Sequence, residues 1–451
     1  LGASREGKHV IERIFKLSGN QTTVRREISG GITTFVTMAY IIFVQPVVMN
    51  AAGIDMESAM VATCVSSAVA TFLMGLLANY PVALAPAMGH NFFFTFTVVL
   101  TLGYTWQQAL GAVFISGTLF ILLSTVGLRE RLLTEVPETL KHAIAVGIGL
   151  LIAVVGMEWS GIVVGNPSTL VTMGKLSAGP VLLSLFGLAV MSILLALRVR
   201  AAILIGIGSG LVVALITGLT KFEGVVSSVP SIRPSLFKLD ILGALGAGMF
   251  AIIFVFFFLD LFDTVGTLIG VSQQAGFLKP DGSLPRARQA LLSDAGGTVI
   301  GALLGTSTVT SYVESAAGVS AGARTGLANM VTGLLFLLSL FFAPLVRMIG
   351  GGIPQKEGLT LYPIIAPALI IVGCYMMKSV KNINWDDFAD AIPAFLTIII
   401  MALTFSITEG IAFGFISYTA LKAVQGKARQ VPILIWVFAV LFIVRYVFLM
   451  R

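Results

Sequence analysis

The chain has 451 residues, of which 57% are hydrophobic and only 11% charged, with a mean hydropathy of +0.99. A soluble domain carries about 25% charged residues, so this composition excludes a soluble enzyme or binding module and leaves a polytopic membrane protein. The formal charge of +7, from 28 Lys and Arg against 21 Asp and Glu, is the excess that cytoplasmic loops carry and does not call for nucleic acid as a partner.

The opening LGASREGKHVIERIFK, within residues 1–27, is basic and amphipathic and does not resemble a signal peptide. His9 there, and His142 further on, read as solvated residues near the cytoplasmic surface. A span needs roughly 20 apolar residues. Candidate runs follow at 28–49, 58–78, 82–100, 105–127, 138–157, 178–197, 201–220, 243–270, 289–304, 306–321, 326–348, 361–377, 391–407 and 408–424. A last apolar run at 431–449 reads as either an extra span or an interfacial helix. With the amino end inside, most of the 28 basic residues fall in cytoplasmic segments, among them Arg25, Arg26, Lys141, Arg198, Arg200, Lys378, Lys381 and Lys422. That bias supports fourteen spans, a multi-pass cell-membrane location and a cytoplasmic N-terminus. Cys64 and Cys374 lie in apolar runs and read as small buried hydrophobes, with no CxxC metal pattern.

Two spans differ from the rest. NYPVALAPAMGHNFFFTFTVVL (79–100) carries Pro81, Pro86 and Gly89 near its middle, and GTSTVTSYVESAAGVSAG (305–322) is short and rich in Ser, Thr and Gly. Non-helical backbone at membrane depth survives only where protein or a cavity surrounds it. These are the third and tenth spans, which correspond if the chain is two sevens. An odd repeat length inverts the second copy, and interrupted segments at matched places point to a transporter's binding site. In the tenth, TSTVTSYV reads as a short extended piece and ESAAG as the start of a half-helix.

The eighth span, FFFLDLFDTVGTLIG (256–270), holds Asp260 and Asp263 in an otherwise apolar run. Three residues apart, they share a helix face with Thr264 and Thr267. An Asp at the bilayer centre costs roughly 2.5–3.5 kcal/mol on insertion scales, so the pair reads as functional, with a proton-coupled site as its use. Glu314 sits where a half-helix start would offer free N–H groups and a partial positive charge. In PAMGHNFFF, Asn91 offers both donor and acceptor, His90 is a titratable group beside it, and Phe92, Phe93 and Phe94 could stack on a planar ligand. Glu409, at a break in SITEGIAFG, reads as a helix cap.

Four of these stretches also carry a likeness. GGITTFVTMAYIIFVQP (30–46), APAMGHNFFF (85–94), LDLFDTVGTL (259–268) and ESAAGVSAGARTGL (314–327) together resemble the AzgA-like purine permeases of the nucleobase–ascorbate transporter (NCS2) group. The resemblance implies an all-α membrane fold of fourteen segments in two inverted sevens, with a short strand plus half-helix in segments 3 and 10. It implies a core domain made of 28–137 and 243–348, a gate domain made of 138–220 and 361–424, and the segment 431–449 beyond them. It implies proton-coupled uptake of purine bases such as adenine, guanine and hypoxanthine. The substrate-binding set would be Asp260, Glu314, Asn91, Gly89 and His90, and the proton-coupling set Asp263, Asp260 and Glu314. The third segment departs from the group's usual G-M-G-L-N-A-Y-F in having Ala87 for the first Gly, His90 for the Leu, and Phe for the Ala and Tyr. Gln45 replaces a usual Asn.

The expected partners are thus a purine base and the lipid bilayer, with no nucleic acid. The proton is the only coupling ion and neither cofactor nor metal is expected. Dimers are common among related transporters, so a homodimer is admitted. A xanthine- or uracil-type nucleobase transporter is the first alternative, and an anion transporter of related fold the second. No HExxH, GxSxG or GxGD protease pattern stands in the sequence, so an enzyme is not expected.

Overall fold

A computed structural model describes residues 10–126, 136–246, 248–279, 284–355 and 360–448. His9 and the rest of 1–9 lie outside the described residues. Of the described helices, seven are long and apolar enough to cross a bilayer, and shorter apolar helices lie between them.

The described helices follow the segment map. The first segment is two helices, Val24–Met38 and Ile41–Ala51, and the second runs over Met56–Leu73 and Met74–Ala78. The fourth to ninth are Trp106–Val126, Glu138–Trp159, Gly179–Ala196, Ala202–Ile216, Phe250–Ala275 and Ala287–Leu304. The eleventh begins at Leu327–Leu338, and the twelfth to fourteenth are Ala366–Met376, Phe388–Thr404 and Ile407–Val424. The apolar run left over forms the helix Ile433–Phe448. It packs on the fourteenth segment, where Glu409 binds Arg445 at 2.7 Å and accepts from the Tyr446 hydroxyl. Glu409 also stands third in a Ser-x-x-Glu cap, its N–H bonded to Ser406 Oγ at 3.3 Å.

The third and tenth segments share one construction. Asn79 (φ +51°) ends the helix before one, and Gly305 (φ +99°) ends the helix before the other. A left-handed residue closes a helix and turns the chain away from its axis. Each chain then extends into a short strand, β1 (Leu84–Pro86) and β2 (Val309–Ser311). The strands pair antiparallel, Leu84 opposite Ser311 and Pro86 opposite Val309. After β1 the helix Met88–Phe92 runs on in wider π-type turns through Phe93–Thr101; after β2 comes Ser315–Ser320. The pairing satisfies extended backbone that lipid could not. Ala87 N–H to Thr308 O and Tyr312 N–H to Ala83 O, both 2.9 Å, extend it.

Two sets of segments pack mainly among themselves. The fifth, sixth, seventh, twelfth, thirteenth and fourteenth form one, and the remaining eight the other. Small residues set the spacing within each set. A side chain on Gly373 would strike the Gly149 carbonyl where the fifth and twelfth segments cross, and one on Gly30 would strike Ala323.

Candidate functional site

Asp263 is an exposed acid that lines a cavity. This cavity, about 640 Å³, falls within the roughly 300–1,000 Å³ of small-molecule sites. Its inner wall is Gly89 and His90 at the start of the third-segment helix, Phe262 and Asp263 of the eighth, and Ile148 of the fifth. A Cβ on Gly89 would lie 3.1 Å from Ile148 Cγ2, so the helix start packs closely on the fifth segment and a side chain there would require Ile148 to give way. Glu138, Lys141 and His142, at the start of the fifth segment, line the cavity as well. Lys141 pairs with Glu138 at 2.7 Å, and its ammonium sits 5.1 Å from the centre of the Phe262 ring.

Asp260 takes a different direction. Residues three apart on a helix differ by about 60° around its axis, enough to send one carboxylate to the cavity and the other into protein. Asp260 is fully buried. Its Oδ1 lies 3.4 Å from Thr264 Oγ1, which in turn lies 2.7 Å from Asp294 Oδ2. A hydroxyl has one proton to give, and the shorter contact takes it. Asp294 Oδ1 accepts from the backbone N–H of Ser311 at 2.9 Å and from its hydroxyl at 3.1 Å. This buried chain ties β2 to the eighth and ninth segments. Asp263 Oδ2 accepts from Thr310 Oγ1, on the same strand, at 3.2 Å.

Asn91 is buried behind the helix start, where its Oδ1 accepts from the Ser307 hydroxyl. Gln45 joins them, its Nε2 donating to Thr306 Oγ1 at 2.9 Å. Glu314 accepts from the Tyr40 hydroxyl at 2.8 Å and borders a second, smaller cavity of about 340 Å³ that also holds Thr37, Tyr375, Arg198 and Arg200. Gly89, His90 and Asp263 therefore share one cavity, while Asp260 and Asn91 stand behind its wall and Glu314 beside it.

Comparison with known proteins now decides the family. Residues 25–413 match the model of the Permease family. The chain belongs to that family. Within it, the permease is 45% identical to the guanine/hypoxanthine permease PbuG of Bacillus subtilis, over 97% of this chain and all of that one. It is 41% identical to the adenine permease AdeP of Escherichia coli, over 98% of this chain and 97% of that one. These relatives bear out the AzgA-like resemblance of its motifs. The transmembrane domain of the cyanobacterial bicarbonate transporter BicA shares the fold, with a TM-score of 0.63 at 15% identity over 85% of this chain and 96% of that one.

The structure also brings together residues that sequence reading passed over. Asp294 lay in LSDAGG, inside an apolar run like the one holding Asp260, and the same reasoning would have marked it. Phe262 and Lys141 gave no local signal, because they meet across two segments 121 positions apart. His142, expected at the solvated surface, lines the cavity wall. Phe92, Phe93 and Phe94 are fully buried, with Phe93 packed edge-on to Phe256. Cys64 is buried as expected, whereas Cys374 is exposed.

Proposed function

We propose that the permease carries purine nucleobases, namely adenine, guanine and hypoxanthine, into the cell by alternating access, with a proton accompanying each base. The observation that carries this reading is Asp263, a carboxylate open to a cavity beside the free N–H groups of a helix start. A purine base is planar and uncharged, with ring N–H donors and ring N acceptors on its edges. Asp263 would accept from an N–H edge, the backbone at Gly89 would donate to a ring nitrogen or carbonyl, and Phe262 would cover the ring face. Relatives named for adenine and for guanine/hypoxanthine support the ligand class.

The proton would be held within the group Asp263, Asp260 and Glu314, with Asp260 acting through Thr264 and Asp294 on the strand beneath the ligand. The two packed sets of segments would be the core and gate domains that move against each other. If the amino end is cytoplasmic, the cavity mouth at Lys141 and Ser379 opens inward. A bare anion would meet Asp263 here, which disfavours the anion alternative; structures sharing only the fold do not argue for it.

The test is uptake of radiolabelled hypoxanthine into proteoliposomes under an imposed proton gradient, competed by adenine, guanine, xanthine, uracil and bicarbonate. Competition by adenine and guanine, with uptake collapsing when the gradient is discharged, is expected. Competition by uracil or xanthine alone would move the substrate to the alternative class. Uptake indifferent to the gradient would remove proton coupling.

A further inference from the structure

Asp263, which the purine reading places against the base, is exposed in its cavity, and among the described residues one hydrogen-bond donor of the protein reaches it. That donor is the Thr310 hydroxyl, 3.2 Å from Oδ2. Thr310 is itself fully buried and does not line the cavity. An Asp side chain left to solvent turns among its staggered rotamers. A carboxylate that must meet a ligand in one geometry needs a neighbour whose own position is fixed.

Thr310 is fixed in two ways. Its β-branched side chain is stiff about χ1. Its backbone lies in β2, where successive side chains leave opposite faces. Thr310 reaches Asp263 of the eighth segment, and Ser311 gives both its N–H and its hydroxyl to Asp294 of the ninth. The register with β1 holds the strand further, Thr310 standing opposite Ala85 and Thr308 O accepting from the Ala87 N–H at 2.9 Å. Two residues beyond Ala87 is Gly89, which lines the same cavity as Asp263. The acceptor at Asp263 and the backbone at Gly89 therefore hang from one two-stranded ladder, with Thr310 as the link on the acceptor side.

We infer that Thr310 is a positioning residue of the permease: by donating to Oδ2 it orients the Asp263 carboxylate and leaves Oδ1 to accept from the N–H edge of the base. It acts on affinity through Asp263 and does not touch the base. This rests on the purine reading above and deepens it by naming the side chain through which the broken tenth segment governs how the base is held.

The experiment is binding of adenine and of hypoxanthine to the full chain in detergent, in a double-mutant cycle of Thr310→Val and Asp263→Ala. Val keeps the shape of Thr and removes the hydroxyl. Thr310→Val should weaken binding by about tenfold, within the span of coupling between side chains that share one hydrogen-bond network. Thr310→Ser keeps the donor and should restore most of that affinity. In the Asp263→Ala background, adding Thr310→Val should change affinity by less than about twofold, because the group it positions is gone. Wild-type affinity in Thr310→Val overturns the inference. So does a loss of the same size with and without Asp263, which would mark Thr310 as packing alone; both results leave the purine reading intact. Should Thr310→Val fail to fold, Thr310→Ala takes its place in the cycle with the same expectations. Binding of neither base by the wild type would overturn the purine reading itself and the inference with it.

Discussion

At the scale of single residues, the two aspartates of the eighth segment show how one turn of helix divides labour. Asp263 faces the cavity and Asp260 faces the buried Thr264–Asp294–Ser311 chain. Replacing Asp263 by Asn keeps the shape but substitutes an amide for a charged acceptor. Charge-assisted hydrogen bonds contribute about 1.5–3 kcal/mol, so base uptake by Asp263→Asn should fall about 10- to 100-fold while the protein stays folded. Asp294→Ala should act oppositely, lowering the thermal unfolding midpoint in detergent because the buried N–H of Ser311 loses its acceptor. Were Asp263→Asn to transport at the wild-type rate, the carboxylate would have no role at the ligand. The sequence made the acids visible through the cost of placing them in lipid. It left open which acid meets the ligand, because a 60° difference in direction is decided by the neighbouring segments. The Phe run shows the converse: apolar composition offered stacking partners, and packing consumed all three.

At the scale of elements, Pro81, Pro86 and the Ser/Thr-rich run at 305–311 announced the broken third and tenth segments, since neither can sustain a lipid-exposed helix. Their mutual pairing, and the way helix ends are satisfied from afar, were not legible, because such bonds join residues hundreds of positions apart. Glu27 is the clearest case. It is fully buried in the first segment, yet its carboxylate accepts the N–H groups of Arg324 at 2.9 Å and Thr325 at 3.2 Å, and the Thr22 hydroxyl at 2.8 Å. It thereby holds the turn that leads into the eleventh segment. Glu27→Ala would strand two backbone donors, a cost of about 2–4 kcal/mol, seen as a lower unfolding midpoint; an unchanged midpoint would show this tie to be dispensable. A second clamp lies between the thirteenth and fourteenth segments. Asp387 accepts from the Gln425 amide at 2.9 Å, the Ala389 N–H at 3.0 Å and the Lys422 ammonium at 3.0 Å, which together hold its carboxyl below the usual carboxylate range. A depressed value stabilises the folded state fully above the unfolded value of about 3.9. The contribution is lost only as pH falls through the lower folded value. Hydrogen exchange at the start of the thirteenth segment should therefore be unchanged between pH 7 and 5 once corrected for intrinsic rate, and opening within that window would refute the clamp.

At the scale of the whole molecule, the charge pattern of the loops and the two broken segments were enough to order fourteen segments into two sevens. The cavity could not be foreseen, because it lies where the two packed sets meet and belongs to neither alone. It holds the Lys141 ammonium against the face of Phe262, one residue from each set. A cation held over an aromatic ring is worth about 0.5–1 kcal/mol at an exposed site and about 2 when desolvated. That is small enough to break if the two sets move apart and large enough to favour their contact. If transport requires the sets to move against each other, tying these positions together should stop it. Lys141→Cys combined with Phe262→Cys, in a chain with Cys64 and Cys374 replaced, provides two thiols for a short flexible bifunctional reagent. Cross-linking should abolish net uptake and leave purine affinity, measured in detergent, within a few-fold of the unlinked protein. Each single-cysteine variant treated with the same reagent should retain most of its uptake, which separates restraint from mere occupation of the mouth. Full-rate transport by the verified cross-linked species would mean that the two sets need not separate here, and that the base leaves by another route.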